Sequence, residues 1–167
     1  MTLHLPTVAR AALLGLTTGS RSFSGLAAQV VVTPSLADRQ PERTLGGLRA
    51  KGLVALLAVG ELVGDKLPTT PSRLAPPVLA SRLALAAGTA LLVARAADEQ
   101  EGVGAPAPAV PAAAYVAVPV AVAASLASAF LGHAWRGWAS TRVGRDWPGA
   151  VGEDVVALTL AAVATRP

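Results

Sequence analysis

There is no cysteine in this chain of 167 residues, and histidine occurs only twice, as His4 and His133. Disulfides, thiolate metal sites and cysteine nucleophiles are therefore excluded, and two histidines so far apart give no basis for a zinc site. Aromatic residues make up 4% of the sequence and charged residues 14%, against about 25% in an ordinary soluble domain. A surface so poor in charge is hard to keep in water. Apart from Lys51 and Lys66, all 14 basic residues are arginines, scattered singly between apolar runs with no stripe and no interleaved aromatics, which speaks against nucleic-acid binding. No catalytic or cofactor-binding motif is recognised, so neither an enzyme activity nor a cofactor is expected.

What abounds is alanine, valine, leucine and glycine: hydrophobic residues total 53% and the mean hydropathy is +0.53. Small side chains let helices approach closely, as bundles in lipid require when no hydrophobic force draws the helices together. Five apolar segments stand out, at 8–32, 45–67, 74–94, 108–134 and 147–165. Each offers about the 20 residues needed to cross roughly 30 Å of hydrocarbon. Period-two alternation is absent, so strands are not expected. The expected fold class is all-α: one integral membrane domain, a bundle of about five transmembrane helices, some short or broken. An alanine-rich soluble bundle is the alternative. The opening stretch has the basic start and apolar core of a signal peptide, but the apolar character resumes beyond Arg21.

Polar or proline-rich connections separate the segments at 33–44, 68–77, 97–111 and 136–148. The prolines of "PTTPSRLAPP" suit the first turn of the helix that follows, and Pro119 is expected to kink the fourth helix. Trp135, Trp138 and Trp147 surround the last loop, as tryptophans do at a membrane–water interface. Five passes put the two ends of the chain on opposite faces. Basic residues outside the spans divide evenly between those faces, so charge does not orient the bundle, and dual insertion of a homodimer stays open.

Ionisable residues inside the spans call for explanation, because each costs at least roughly 2.5–3.5 kcal/mol at mid-membrane unless paired or hydrated. A rise of about 1.5 Å per residue puts Arg82 and Glu153–Asp154 roughly 10 Å below one face, Asp65 near that face and Glu61 one turn deeper; Arg21 falls roughly 15–20 Å in. This layer of Arg21, Glu61, Asp65, Arg82, Glu153 and Asp154 reads either as a substrate or ion site or as an ion-pair network that fixes helix register. Glu153 and Asp154 would instead cap the last helix if it started later. Gly15–Gly19 and Gly60–Gly64 each form G-x-x-x-G, which suggests that the first and second helices pack there. The stretch "TTGSRSFSG" is polar enough to break the first helix, whose second half would then present backbone N–H groups and Arg21 to an anion. A continuous helix with an embedded Arg21 is the other reading.

"GSRSFSGLAA", "GELVGDKLPTTPSRLAPP" and "GEDVVALTLA" together resemble the uncharacterised bacterial multi-pass membrane-protein family known as domain of unknown function 4126. The resemblance covers residues 13 to 162 and is most specific in the second stretch. It implies a multi-pass, mostly helical protein of the bacterial cytoplasmic (inner) membrane, with motif positions at Arg21, Glu61, Asp65, Lys66, Pro68, Pro71, Ser72, Arg73, Glu153 and Asp154. The family carries no assigned activity, and the short first loop and acidic third loop depart from its pattern.

Three functions fit these residues. A small transporter or channel component would use the charged layer as its site for a small ion or anionic solute, and five short helices would favour a homodimer around the path. A structural or partner-binding membrane protein would use the same charges to lock the bundle. A lipid-acting enzyme would need Glu153, Asp154 and His133 at the interface, without a motif to support it.

Overall fold

Alanine and leucine, the best helix formers, dominate the long apolar runs, and helices fill those runs. The computed structural model describes residues 5–35, 40–64, 74–101, 110–143 and 147–166. Among these residues the chain is all-helical: α1 (Thr7–Ser20), α2 (Ser22–Val32), α3 (Glu42–Leu45), α4 (Leu48–Gly64), α5 (Pro76–Glu101), α6 (Ala114–Val143) and α7 (Trp147–Ala164). Pro76 opens α5, where its missing N–H costs no intrahelical bond. α6 runs on through Pro119.

Of the two readings of the first apolar run, the structure has the broken helix, and its two halves fold back on each other. Thr17 and Thr18 donate their hydroxyls back to the carbonyls of Leu13 (2.9 Å) and Leu14 (2.8 Å), and Ser20 does the same to Thr17 (2.9 Å). Such back-bonding weakens a helix. Arg21 then leaves helical geometry, with φ −138° and ψ 106°. Ser22 starts α2, which folds back along α1: a Cβ on Gly25 would strike the Thr18 hydroxyl and the Leu14 carbonyl, and Ala28 packs beside Leu14. The segment read as one pass over 8–32 is a helical hairpin with Arg21 at its tip. At about 1.5 Å per residue, its 14- and 11-residue arms reach only about 21 and 16 Å.

The other helices surround this hairpin. α4 runs antiparallel to α2, with Val54 against Ala27 and Val30. α5 runs antiparallel to α1, bringing Ala90 beside Ala11 and Val93 beside Leu14. α6 runs parallel to α1, with Ala117 and Ala121 in the same cluster as Ala11. α7 runs antiparallel to α1, and Arg10 Nε donates to the Ala164 carbonyl at 2.9 Å. α1 is thus the central element. The start of α1 and the end of α7 share one end of the bundle, where an odd number of passes would have separated them.

Alanine lines the interior because helices must come close. A Cβ on Gly15 would collide with the backbone of Ala121, and one on Gly19 with the Ser125 carbonyl and the Ser128 side chain. This G-x-x-x-G therefore seats α1 on α6, and not on the second apolar segment as expected. Gly60 and Gly64 have nothing near enough for a Cβ to touch. The larger apolar side chains lie outside: Leu53, Leu56, Val63, Phe130, Leu131 and Val155 are all more than half exposed. Within α5 and α6, Pro76–Glu99 and Ala114–Ala139 are long and apolar enough to cross a membrane.

Element ends also move. α5 continues to Glu101 through residues read as a loop, α6 begins at Ala114 and continues to Val143 through "RGWASTRV", and the second apolar helix starts at Leu48 behind the one-turn α3. Placing valine at Gly19 should lower stability by about 1–3 kcal/mol through overpacking, whereas valine at Gly60 should leave it unchanged. Thermal unfolding of the two purified variants, followed by circular dichroism, measures this difference.

Candidate functional site

A helix that stops inside a bundle leaves backbone carbonyls bare at one end, and one that starts there leaves amides bare. The hairpin tip does both within two residues. Charged side chains from two other helices meet these groups, and one from a third meets the Arg21 side chain. Glu61 on α4 turns its carboxylate to the start of α2, where Oε1 accepts from the Ser22 amide at 2.6 Å and Oε2 from the Phe23 amide at 2.8 Å. A negative group at a helix N-terminus stabilises by about 0.3–1 kcal/mol, and by up to ~2 kcal/mol when partly buried.

Arg82 on α5 serves the opposite pole. Its Nη1 donates to the Gly19 carbonyl near the end of α1 at 2.5 Å, and its Nη2 lies 3.6 Å from Glu61 Oε1. A cation at a helix C-terminus is favourable for the same electrostatic reason. Arg21 itself is completely buried. Its Nε donates to Asp154 Oδ1 on α7 at 2.6 Å, and its Nη2 pairs with the same oxygen. Two arginines and two carboxylates thus balance at the tip.

Of the residues expected to form the charged layer, Arg21, Glu61, Arg82 and Asp154 come together. Arg21 reaches their level because the hairpin turns there, which the depth count along a single pass could not give. Glu153 is buried one residue away and pairs instead with Arg136 Nε on α6 at 3.2 Å. Because α7 starts at Trp147, with no acid in its first turn, Glu153 and Asp154 do not cap that helix. Asp65, Lys66, Pro68, Pro71, Ser72 and Arg73 lie outside the described residues. His133 is exposed on α6. Sequence reasoning missed Arg136, which it assigned to a loop, and the Gly19 carbonyl; the polar "TTGSRSFSG" stretch signalled the broken backbone.

The short hairpin leaves a second feature. α1 stops at Ser20, while α6 and α7 continue past the tip and meet beyond it, where Arg136 pairs with Glu153 and Trp135 donates to the Gly149 carbonyl. Between them lies a groove of about 550 Å³, lined by Leu16 and Ser20 from α1, Leu131 and Trp135 from α6, and Val156 and Leu160 from α7. Glu153 borders it. Among the described residues no group of three or more metal-ligating side chains is gathered.

No family model, curated protein or solved structure matches the chain. Chemically, the tip is a helix N-terminus whose amides are held by a carboxylate, with two arginines beside it. Removing one partner of a buried pair strands the other charge, which costs about 3–5 kcal/mol, whereas replacing both with apolar groups is often neutral. Arg21→Met should therefore destabilise by about 3–5 kcal/mol, and adding Asp154→Leu should recover part of that loss. A double-mutant cycle on unfolding temperatures and midpoints reads the coupling.

Proposed function

We propose that this chain is a multi-pass protein of the bacterial cytoplasmic membrane, and that it acts as a small transporter or channel component whose polar site is the tip of the α1–α2 hairpin. Support for the membrane reading comes from the large apolar side chains on the outside, the alanine-lined interior and the two spanning-length helices. The resemblance to domain of unknown function 4126 points the same way. On this reading α4, α5, α6 and α7 cross the bilayer. The α1–α2 hairpin enters and returns, because its bare backbone ends are buried in protein. The five crossings expected become four and a re-entrant hairpin.

The observation that carries the transport reading is the helix break at the charged tip. Half-helix N-termini turned toward anionic groups at mid-membrane are a recurring feature of transporter binding sites. Here the group is the Glu61 carboxylate on the Ser22 and Phe23 amides. An anionic solute competing for those amides, or a proton taken up by Glu61, would release it. Buried ion pairs seldom repay their desolvation relative to apolar packing, so stability alone is a poor reason to keep this tip charged. The bundle encloses little volume, and two copies would supply more of a path.

A second reading has its own support. Each of Arg21, Glu61, Arg82 and Asp154 meets a group of the chain itself, as a structural or partner-binding protein that only locks its packing would have it. Reconstitution in liposomes loaded with a pH-sensitive dye separates the two. Under an imposed potential, with candidate anions added, the wild type should move protons or anions and Glu61→Gln should lose that flux while remaining folded. Absence of flux from both proteins, with Glu61→Gln unfolding at lower temperature, would sink the transport reading in favour of the lock.

A further inference from the structure

The groove between α1, α6 and α7 is unused by the tip chemistry. Along α7 it runs from Gly152 to Leu160, about 12 Å at 1.5 Å per residue. That is most of the roughly 15 Å of hydrocarbon in one leaflet of a bilayer about 30 Å thick. Its volume is about 550 Å³, and its walls are almost wholly apolar, with Leu16, Leu131, Val156 and Leu160 along its length. An apolar groove that follows the helix axes over one leaflet's depth suits a hydrocarbon chain lying along it. Small residues, Ser128, Gly132 and Gly152, keep the groove open between apolar neighbours.

One end of the groove is polar in a specific order. Trp135 lines it and donates Nε1–H to the Gly149 carbonyl at 3.2 Å, which fixes the ring. Trp138 stacks on Trp135 with centroids 5.2 Å apart and ring planes at 28°. The exposed guanidinium of Arg142 lies 5.8 Å above the Trp138 ring. Residues 135, 138 and 142 share one helix face at spacings of three and four, so the ladder climbs α6 away from the apolar groove. Tryptophan followed by arginine is the order in which a helix leaves hydrocarbon for anionic headgroups. Glu153, the acid beside the groove, is paired with Arg136 and so offers little repulsion to an anion.

We infer that this groove holds one acyl chain of an anionic phospholipid, whose phosphate sits at Arg142 above the Trp135–Trp138 stack. This rests on the membrane reading, but not on the transport reading. The lipid fills the space that the short hairpin leaves between α6 and α7. It belongs to the leaflet on the tip side.

The test is native mass spectrometry of the full chain in mild detergent, with phosphatidylglycerol or phosphatidylcholine added. The wild type should retain one phosphatidylglycerol per chain in preference to phosphatidylcholine. Gly152→Leu should lose it, because a Cβ at Gly152 meets nothing within 4 Å and the leucine extends into open groove without disturbing the fold. Arg142→Gln, at an exposed position, should cut the preference for the anionic lipid about five-fold while keeping acyl-chain binding. Equal retention by wild type and Gly152→Leu, with matching unfolding temperatures, would overturn the lipid site and leave the membrane reading standing. A groove found closed by a second copy, with Gly152→Leu abolishing a dimer, would overturn it too. Recovery of the chain in the aqueous fraction without detergent would instead remove the membrane reading itself.

Discussion

Everything around the hairpin follows from one constraint: backbone groups exposed by a helix break in the interior must be bonded. An unmade buried hydrogen bond costs about 1–3 kcal/mol, and the break at Arg21 exposes several such groups at once. Glu61 meets the amides, Arg82 meets the carbonyl end, and Asp154 neutralises the arginine between them. These three side chains come from α4, α5 and α7, so the break fixes the positions of three helices around the hairpin. The remaining neighbour, α6, is set by shape, through the glycines at 15 and 19. Electrostatic pinning by three helices and close steric contact with the fourth explain why the hairpin is central although its arms are short.

Much of this was legible in the sequence, and the gaps have physical causes. Apolar runs gave helices because their residues are strong helix formers, and rise per residue placed Glu61, Arg82 and Asp154 near a common level, where they meet the hairpin tip. The hairpin stayed hidden because 8–32 has the length and hydropathy of a single crossing. A continuous helix and a folded one differ only at Gly19–Arg21, where small polar residues permit a break without requiring it. The partner of Gly15–Gly19 was misassigned for a related reason: a glycine pair says that something approaches closely, but carries no address. Gly60–Gly64 looks identical in sequence and touches nothing.

Helix ends were misplaced where hydropathy was used to locate them. α6 continues through "RGWASTRV" to Val143, and α5 through "ADEQE" to Glu101. Charged residues end an apolar run but do not end a helix, since glutamate, arginine and alanine all favour helical backbone. The extension of α6 is what carries Trp135, Trp138 and Arg142 beyond the core on one face. The turn at Arg21 and the overrun of α6 therefore have a joint result, a groove with an apolar floor and a basic, aromatic rim.

The pairing of Arg21 with Asp154 spans 133 positions of chain. Synthesis runs from the N-terminus, so the hairpin is made before α4, α5 and α6 and well before its partner on α7. Until α7 emerges, Arg21 has no carboxylate from that helix, and the tip cannot be neutral. The central helix of the finished bundle is thus the one that must wait longest to be completed. The charge at the tip stays uncompensated from the side of α7 while α4, α5 and α6 are made.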